Sequence, residues 1–513
     1  MSLVRKPTVL ITNLYLASRS GSELHVLTLA RAFVDAGWDV TCYTLVYAFP
    51  LQKEFMQSGI KVVVFGSESR LDSHYDVLFA QHRLVSEYLW ALGRRTFGKV
   101  VVSILGVVTD HEAPPSFIHQ ADMIVLVSQE ALNEVHQLDV GASAKEVVFL
   151  NYAEQIYFDA VRFNHSIVLK RIAVVSNHVP AEVRELKHLA LKRGISIDYY
   201  GLEDCSIDIT PDVLITYDVV ISIGRTAQCC FAAQVPFYCY DLFGGPGYIT
   251  PDNYYRHEYA NYSGRSEPTK RSADSLLNDI CDGYSRAVKN LTAMQMIAKQ
   301  RYDFSTNFAQ MISGWGSSSQ IKHIHNLDES DSDTIELKRY RCESFVESFR
   351  SNLGHAQFFF DISETSIPSE RKSVCFAFRY NSLISASLDD FEIDKSQMIV
   401  RFDPDDDTCM CSAYTVEGVH LLGVNTFGKE DECDCFLTMD PQYAVPSNSR
   451  GKSMCRSIQF IAKPINHFDA IEHLAGRIDS LSRELLTTTA ELSGLEQLKT
   501  VKFYKVIHRL FER

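Results

Sequence analysis

The chain is short of the features that most directly assign a protein. No stretch approaches the ~18 consecutive apolar residues of a membrane span. The opening MSLVRKPTVLITN lacks the charged-then-apolar run and small-residue cleavage site of a secretory leader. No G-x-x-x-x-G-K-S/T phosphate loop occurs, and the turn after the first strand reads SRSGSELH where a dinucleotide-binding domain would show G-x-G-x-x-G. Positive charge is in deficit, with 50 Lys and Arg against 64 Asp and Glu and a net charge of −14. That balance excludes nucleic acid as the main partner. The 13 cysteines are scattered and odd in number, which reads as reduced thiols in the cytoplasm rather than a disulfide framework.

What is present is an ordinary globular composition, 46% hydrophobic over 513 residues. A prior of roughly 150 residues per domain divides that length into about three. In the first half, apolar runs alternate with amphipathic stretches, the pattern of a parallel sheet with crossover helices. Residues 8–13 (TVLITN) read as a buried strand, and 21–36 as a helix with Leu24, Leu27, Ala30, Phe33 and Val34 at helical spacing. Strands at 39–44, 60–65, 77–80, 100–105, 123–127 and 147–150 complete one βα domain over 1–160. A second series, over 161–316, has strands at 172–177, 195–201, 218–224 and 235–241. It adds a helix at 180–193 and helical sequence from about 272 to 315. Two doubly wound units in succession place a cleft between them, where ligands bind in such folds.

Serine, aspartate and histidine crowd 317–334, and 317–345 reads as a linker. Across 346–466, short alternating strands broken by polar turns predict a β-sandwich accessory domain. Ile471, Leu474, Ile478, Leu481, Leu485, Leu492 and Leu495 recur mostly at 3–4 spacing. Residues 467–513 are therefore expected to form a coiled-coil helix that joins copies of the chain. Its end, KTVKFYKVIHRLFER, sets Phe503, Ile507, Leu510 and Phe511 on one face among basic residues. Such a tail suits an anionic membrane surface or, equally, a solvated end to the coil. Cys409-x-Cys411 and Cys433-x-Cys435 have strand spacing, which favours small core residues over a structural zinc.

Three places carry candidate chemistry. Gly21 and Ser22 open a helix, whose free N–H groups form an anion site unless Ser22 simply caps it. Gly224, Arg225 and Thr226 stand at a strand-to-helix turn, where backbone N–H groups and a guanidinium can hold a diphosphate. The run FGGPGYITPDN follows the next strand; Gly244 and Gly245 would let backbone approach a ligand closely, and Asn253 closes the run.

In order and spacing these segments resemble the retaining nucleotide-sugar glycosyltransferases of family 4, which have the GT-B architecture. The resemblance is carried by ITNLYLASRSGSELHVLTLARAFVDAGWDVTCYT, ADMIVLVSQEALNEV, VVFLNYAEQIYF, YDVVISIGRTAQCCFAAQVPFYCYDLFGGPGYITPDNY and NYSGR, and covers roughly residues 8–315. It implies transfer of a hexosyl unit from a nucleotide sugar to a glycan or lipid-linked acceptor in surface-polysaccharide assembly. The transfer would be retaining and metal-independent, with the nucleotide sugar as co-substrate and no cofactor. Two departures stand out. Gln228-Cys229-Cys230 occupies the place of the family's ribose-binding Glu, and Leu105 precedes Gly106 where its early His would stand. Gln228 can hydrogen-bond hydroxyls but brings no charge. His111 and Glu112, in the loop VVTDHEAPP, become the acceptor-side catalytic candidates. Gly21, Ser22, Gly224, Arg225, Thr226, Gln228, Gly244, Gly245 and Asn253 are the donor-side set. The departures also support a rival, a catalytically degenerate GT-B scaffold that binds glycan or nucleotide sugar within an assembly. A sugar-nucleotide epimerase on the same architecture is a third reading. The expected fold class is α/β: two Rossmann-like domains facing a cleft, then a β-sandwich-like domain and a C-terminal coiled-coil helix. The expected location is the cytoplasm, peripheral at the inner face of the membrane.

Overall fold

The computed structural model describes residues 5–138, 144–160, 166, 168–202, 204–313, 315, 322–323, 332–361, 372–407, 409–416, 421–424, 426, 428–430, 433–436, 441–445 and 455–465. The coiled coil and basic tail expected over 467–513 lie outside these residues.

The first lobe alternates strand and helix: β1 (Thr8–Leu16), α1 (Gly21–Asp35), β2 (Asp39–Tyr47), α2 (Leu51–Gln57), β3 (Lys61–Val64) and β4 (His74–Gln81). It continues through α3 (Arg83–Ala91), β5 (Thr96–Ile104), β6 (Met123–Leu126), α4 (Gln129–Gln137) and β7 (Lys145–Val148). The sheet runs β3-β2-β1-β4-β5-β6-β7, with every pair in that order parallel. Its strands are apolar on both faces because helices cover both. Leu10 and Leu14 of β1 pack into one layer, and Val9 and Ile11 into the other.

The helix α5 (Gln155–Phe158) leads into the second lobe, which holds β8 (Arg171–Val175), α6 (Ala181–Lys192), β9 (Ser196–Tyr200), α7 (Pro211–Leu214) and β10 (Val219–Ser222). There follow α8 (Arg225–Ala232), β11 (Phe237–Asp241), β12 (Gly244–Tyr248), α9 (Tyr254–Glu258), α10 (Ala273–Lys289), α11 (Leu291–Arg301) and α12 (Phe304–Ser313). The sheet order is β12-β11-β10-β8-β9, parallel except for β12. The fold is thus α/β with two doubly wound sheets. Phe304, Phe308, Met311 and Trp315 leave the second lobe and pack into the first, with Phe33 5.1 Å from Phe308 and 5.5 Å from Trp315.

Two elements depart from the sequence expectation. The glycine run after β11 is a strand, β12, because glycine hides strand alternation in a sequence. The second half of the expected linker is a helix. A short strand, β13 (Lys322–His323), pairs antiparallel with β5, and α13 (Ser332–Arg350) then lies against α3. Cys342, Phe345, Val346 and Phe349 form its apolar stripe, and all four pack into the first-lobe core.

The third region contains β14 (Leu353–Asp361), β15 (Ser373–Arg379), β16 (Ile384–Ser387), β17 (Met398–Asp403), β18 (Cys409–Thr415), β19 (Leu422–Gly423), β20 (Gly428–Glu430), β21 (Cys433–Phe436), β22 (Tyr443–Ala444) and β23 (Ser457–Pro464). They form two five-stranded antiparallel sheets, β15-β14-β17-β22-β19 and β16-β23-β18-β21-β20. Phe358, Phe376, Phe402, Ile458 and Phe460 from the two sheets share one core. Cys409 and Cys411 are fully buried in it.

The end of β15 and its connection to β16 join this region to both lobes. Phe49 of the first lobe donates its N–H to the Ala377 carbonyl (3.0 Å) and accepts from Arg379 N–H (2.9 Å). Ser206 of the second lobe donates its N–H to the Asn381 carbonyl (2.7 Å) and accepts from Leu383 N–H (3.0 Å). The Phe49 ring is fully buried in the third-region core, 4.9 Å from Phe376. Phe49→Ala should therefore cost about 3–5 kcal/mol, read by denaturant unfolding of the intact chain. An unchanged midpoint would show that the region docks without that ring.

Candidate functional site between the lobes

In a doubly wound sheet the connections diverge where strand order reverses, and ligands bind beyond the strand carboxyl ends near that point. In the first lobe this point lies between β1 and β4, followed by residues 17–20 and by His82. In the second it lies between β8 and β10, followed by residues 176–180 and by Ile223 and Gly224. A cavity of about 180 Å³ opens between the sheets. Leu105, Gly106 and Glu112 from beyond β5, and Val127, Ser128 and Glu130 from beyond β6, form one wall. Gly224 after β10 and Asn261, Ser263 and Arg265 from the segment after α9 form the other.

Contacts at the rim hold the lobes together. Glu130 N–H donates to the Tyr259 carbonyl (2.9 Å), and Asn151 Nδ2 donates to Asn261 Oδ1 (3.0 Å). Arg265 grips Glu130 with two nitrogens, its Nε 3.1 Å from Oε1 and its Nη2 on Oε2. Asn261 and Tyr262 both adopt left-handed φ (+53° and +52°). Two such non-glycine residues in succession strain the turn that presents Asn261 and Ser263 to the cavity.

The first-lobe wall is built around Glu112. It ends a 3-10 turn, Asp110–Glu112, and its carboxylate stands against the backbone of Gly106. A Cβ on Gly106 would lie 1.8 Å from Glu112 Oε2, so only glycine permits this placement. Burial pushes the Glu112 carboxyl above its ordinary range, while Arg265 across the cavity and the Thr109 hydroxyl draw it back. Burial likewise lowers the His111 imidazole, with Asp110 opposing. Because a side-chain carboxylate can swing aside, Gly106→Ala should leave the thermal midpoint within about 2 °C while displacing Glu112. Any activity that needs Glu112 should then fall at least about tenfold; equal activity would separate Glu112 from the chemistry.

Behind Glu112 stands His82, which sequence reasoning missed. Its Nδ1 accepts the Leu14 N–H at 3.1 Å, and its Nε2 is buried without a partner. Burial pushes its pKa down to about 3, with His111 and His25 adding to the effect. The His82 and His111 rings meet edge to face at 5.3 Å. One nitrogen from each of these rings and a Glu112 oxygen lie within 4.8 Å of one another. That count suits a divalent ion, but the tautomer does not. A backbone N–H can only donate, so Nδ1 holds the lone pair and Nε2 the proton.

The chain matches no family model and no curated protein. Its fold is similar to that of solved glycosyltransferases. One is a glycosyltransferase from Rickettsia africae ESF-5, at 14% identity over 61% of this chain and 98% of that one, with a TM-score of 0.41. TarM shares 9% identity over 62% of this chain and 100% of its own, with a TM-score of 0.41. The calicheamicin glycosyltransferase CalG4 shares 11% over 62% and 100%, at 0.36. The two-lobed architecture rests on the sheet orders and the shared cavity.

Of the candidates read from sequence, Glu112 and Gly224 border that cavity, and His111 lies beside Glu112. The others are engaged elsewhere. Ser22 donates to Glu23 Oε2 (2.8 Å), as Ser20 does, while Ser18 donates to Oε1 (2.6 Å). The loop beside Gly21 is thus organised around a fully buried carboxyl that burial raises above its usual range. Arg225 pairs with Glu154 at 2.7 Å and covers the Tyr152 ring, its side chain only 12% exposed. Thr226 is half-buried on the same turn. Gln228 is buried, and with its amide turned to suit its neighbours it donates to the Gly224 (2.8 Å) and Arg225 (3.1 Å) carbonyls. Gly244 and Gly245 are small for the protein's own backbone: Cβ atoms there would meet Thr269 O at 2.5 Å and Cys239 O at 2.1 Å. Asn253 accepts from Thr250 N–H (2.7 Å) and donates to the Tyr248 carbonyl (3.1 Å).

Proposed function

We propose that the chain transfers a hexosyl group from a nucleotide sugar to a hydroxyl of a glycan or lipid-linked acceptor in surface-polysaccharide assembly, with retention and without a metal. The observation that carries this reading is a cavity lined from the strand ends of both sheets, with a carboxylate on one wall and a helix-opening glycine on the other. In the transfer the C1–phosphate bond breaks and C1 bonds to the acceptor oxygen. Glu112, ionised, receives the acceptor's proton directly or holds the hydroxyl while the leaving phosphate takes it. The turn at Gly224 and Arg265 face the leaving diphosphate, where fixed dipoles and a guanidinium lower the barrier. The antiparallel third region, read as an accessory sandwich, fixes the two lobes through the end of β15 and its connection to β16. The 467–513 segment is assigned to joining chains and to contact with the inner membrane face. Among the described residues no helix is long and apolar enough to cross a membrane.

A second reading has its own support. Arg265, which lines the cavity, is tied to Glu130. A cavity guanidinium that is already neutralised suits a scaffold that binds glycan. Nucleoside-diphosphate release across a panel of nucleotide sugars, with and without glycan acceptors, separates the two. Acceptor-dependent release supports transfer; donor binding without turnover supports the scaffold.

A further inference from the structure

We infer that His82 is a positioning residue for Glu112: a neutral imidazole that keeps its proton on Nε2 and turns it toward the carboxylate at the cavity wall. Four observations converge. His82 immediately follows β4, at the point where the first sheet reverses its strand order. It adopts φ +60° and ψ 121°, a strained conformation for a residue with a side chain. Such strain persists where surrounding structure over-determines it. The Leu14 N–H on Nδ1 fixes the tautomer and the direction of the ring. Finally, Nε2 is a buried donor with nothing to donate to, which in a native fold calls for an explanation.

The cluster with Glu112 supplies that explanation. A ring nitrogen of His82 and a carboxylate oxygen of Glu112 lie within 4.8 Å of each other, so the dipole of the imidazole acts on the carboxylate at close range. As a donor His82 also favours ionised Glu112, against the burial that opposes it. The groups facing this pair are His111 and Asp110 on the turn, Tyr15 from β1, His25 from α1, and Arg265 from the second lobe. The consequence for transfer rests on the proposed function; the tautomer and its coupling to Glu112 do not.

The test is nuclear magnetic resonance of the full chain with 15N-labelled histidine between pH 5 and 8, with the His82 signals assigned by their loss in His82→Gln. The expected result is a neutral ring with its proton on Nε2 throughout. That Nε2–H resonance should move in Glu112→Gln and stay in place in a Glu146→Gln control. A ring that titrates near pH 6.5, a proton on Nδ1, or indifference to Glu112→Gln would overturn the proposal. Where turnover is found, the acid limb of kcat/KM should rise in His82→Leu and return in His82→Gln, whose amide N–H replaces Nε2–H. A limb that stays put in His82→Leu while folding is intact would also overturn it.

Discussion

Glu112→Gln is expected to lower the proposed sugar transfer by about 10²–10⁴-fold, the usual contribution of a positioned proton acceptor. The amide keeps the shape and hydrogen bonds of the carboxyl, so the space against Gly106 stays filled and donor affinity should change little. The loss should therefore fall on kcat. The pH dependence carries the same signature. Glu112 must be ionised to accept a proton, and burial raises its pKa, so transfer should decline as pH falls through a range above that of ordinary carboxylates. The glutamine variant should lack this acid limb. Full activity in Glu112→Gln, measured by product formation at saturating substrates, would remove Glu112 from the mechanism.

Arg225→Ala is expected to act on stability, by about 3 kcal/mol. The guanidinium links the opening turn of α8 to Glu154 on the connector between lobes and lies over Tyr152, which hydrogen-bonds His25 of α1 at 3.2 Å. Removing it takes the cationic partner from a half-buried carboxylate and cuts a polar bridge between the two lobes. Denaturant unfolding measures the loss. If Arg225 instead holds the donor diphosphate, Arg225→Ala should leave the unfolding midpoint in place and abolish nucleotide-sugar binding. The two outcomes are distinct because one concerns the empty protein and the other only its complex.

How far the sequence revealed this molecule depended on the distance over which each feature is built. β1 and β10 were legible because a strand buried on both faces is a continuous apolar run. Gly37 and Gly194, both at positive φ, marked the ends of α1 and α6. β12 was not legible, since glycines erase the alternation that identifies strands. α13 was masked by the Ser- and Asp-rich stretch before it, although Cys342, Phe345, Val346 and Phe349 carry helical spacing. At the site, Glu112 could be singled out as a carboxylate in a loop beyond a predicted strand. His82 could not, because its role comes from Leu14, 68 residues earlier, brought alongside by strand pairing. Arg265 and Glu130 meet across 135 residues and across two lobes. Arg225 read as a free cation because Glu154, which it meets 71 residues away, has no sequence signature as its partner.

The central claim is that strand ends from two separate sheets form one ligand site. Hydrogen exchange of the intact chain, with and without each of a panel of nucleoside diphosphates, tests it directly. At least one of them should slow exchange together at residues 105–112 of the first lobe and at 223–226 and 261–265 of the second. Protection confined to one lobe, or away from these segments, under conditions where a nucleotide demonstrably binds, would contradict it.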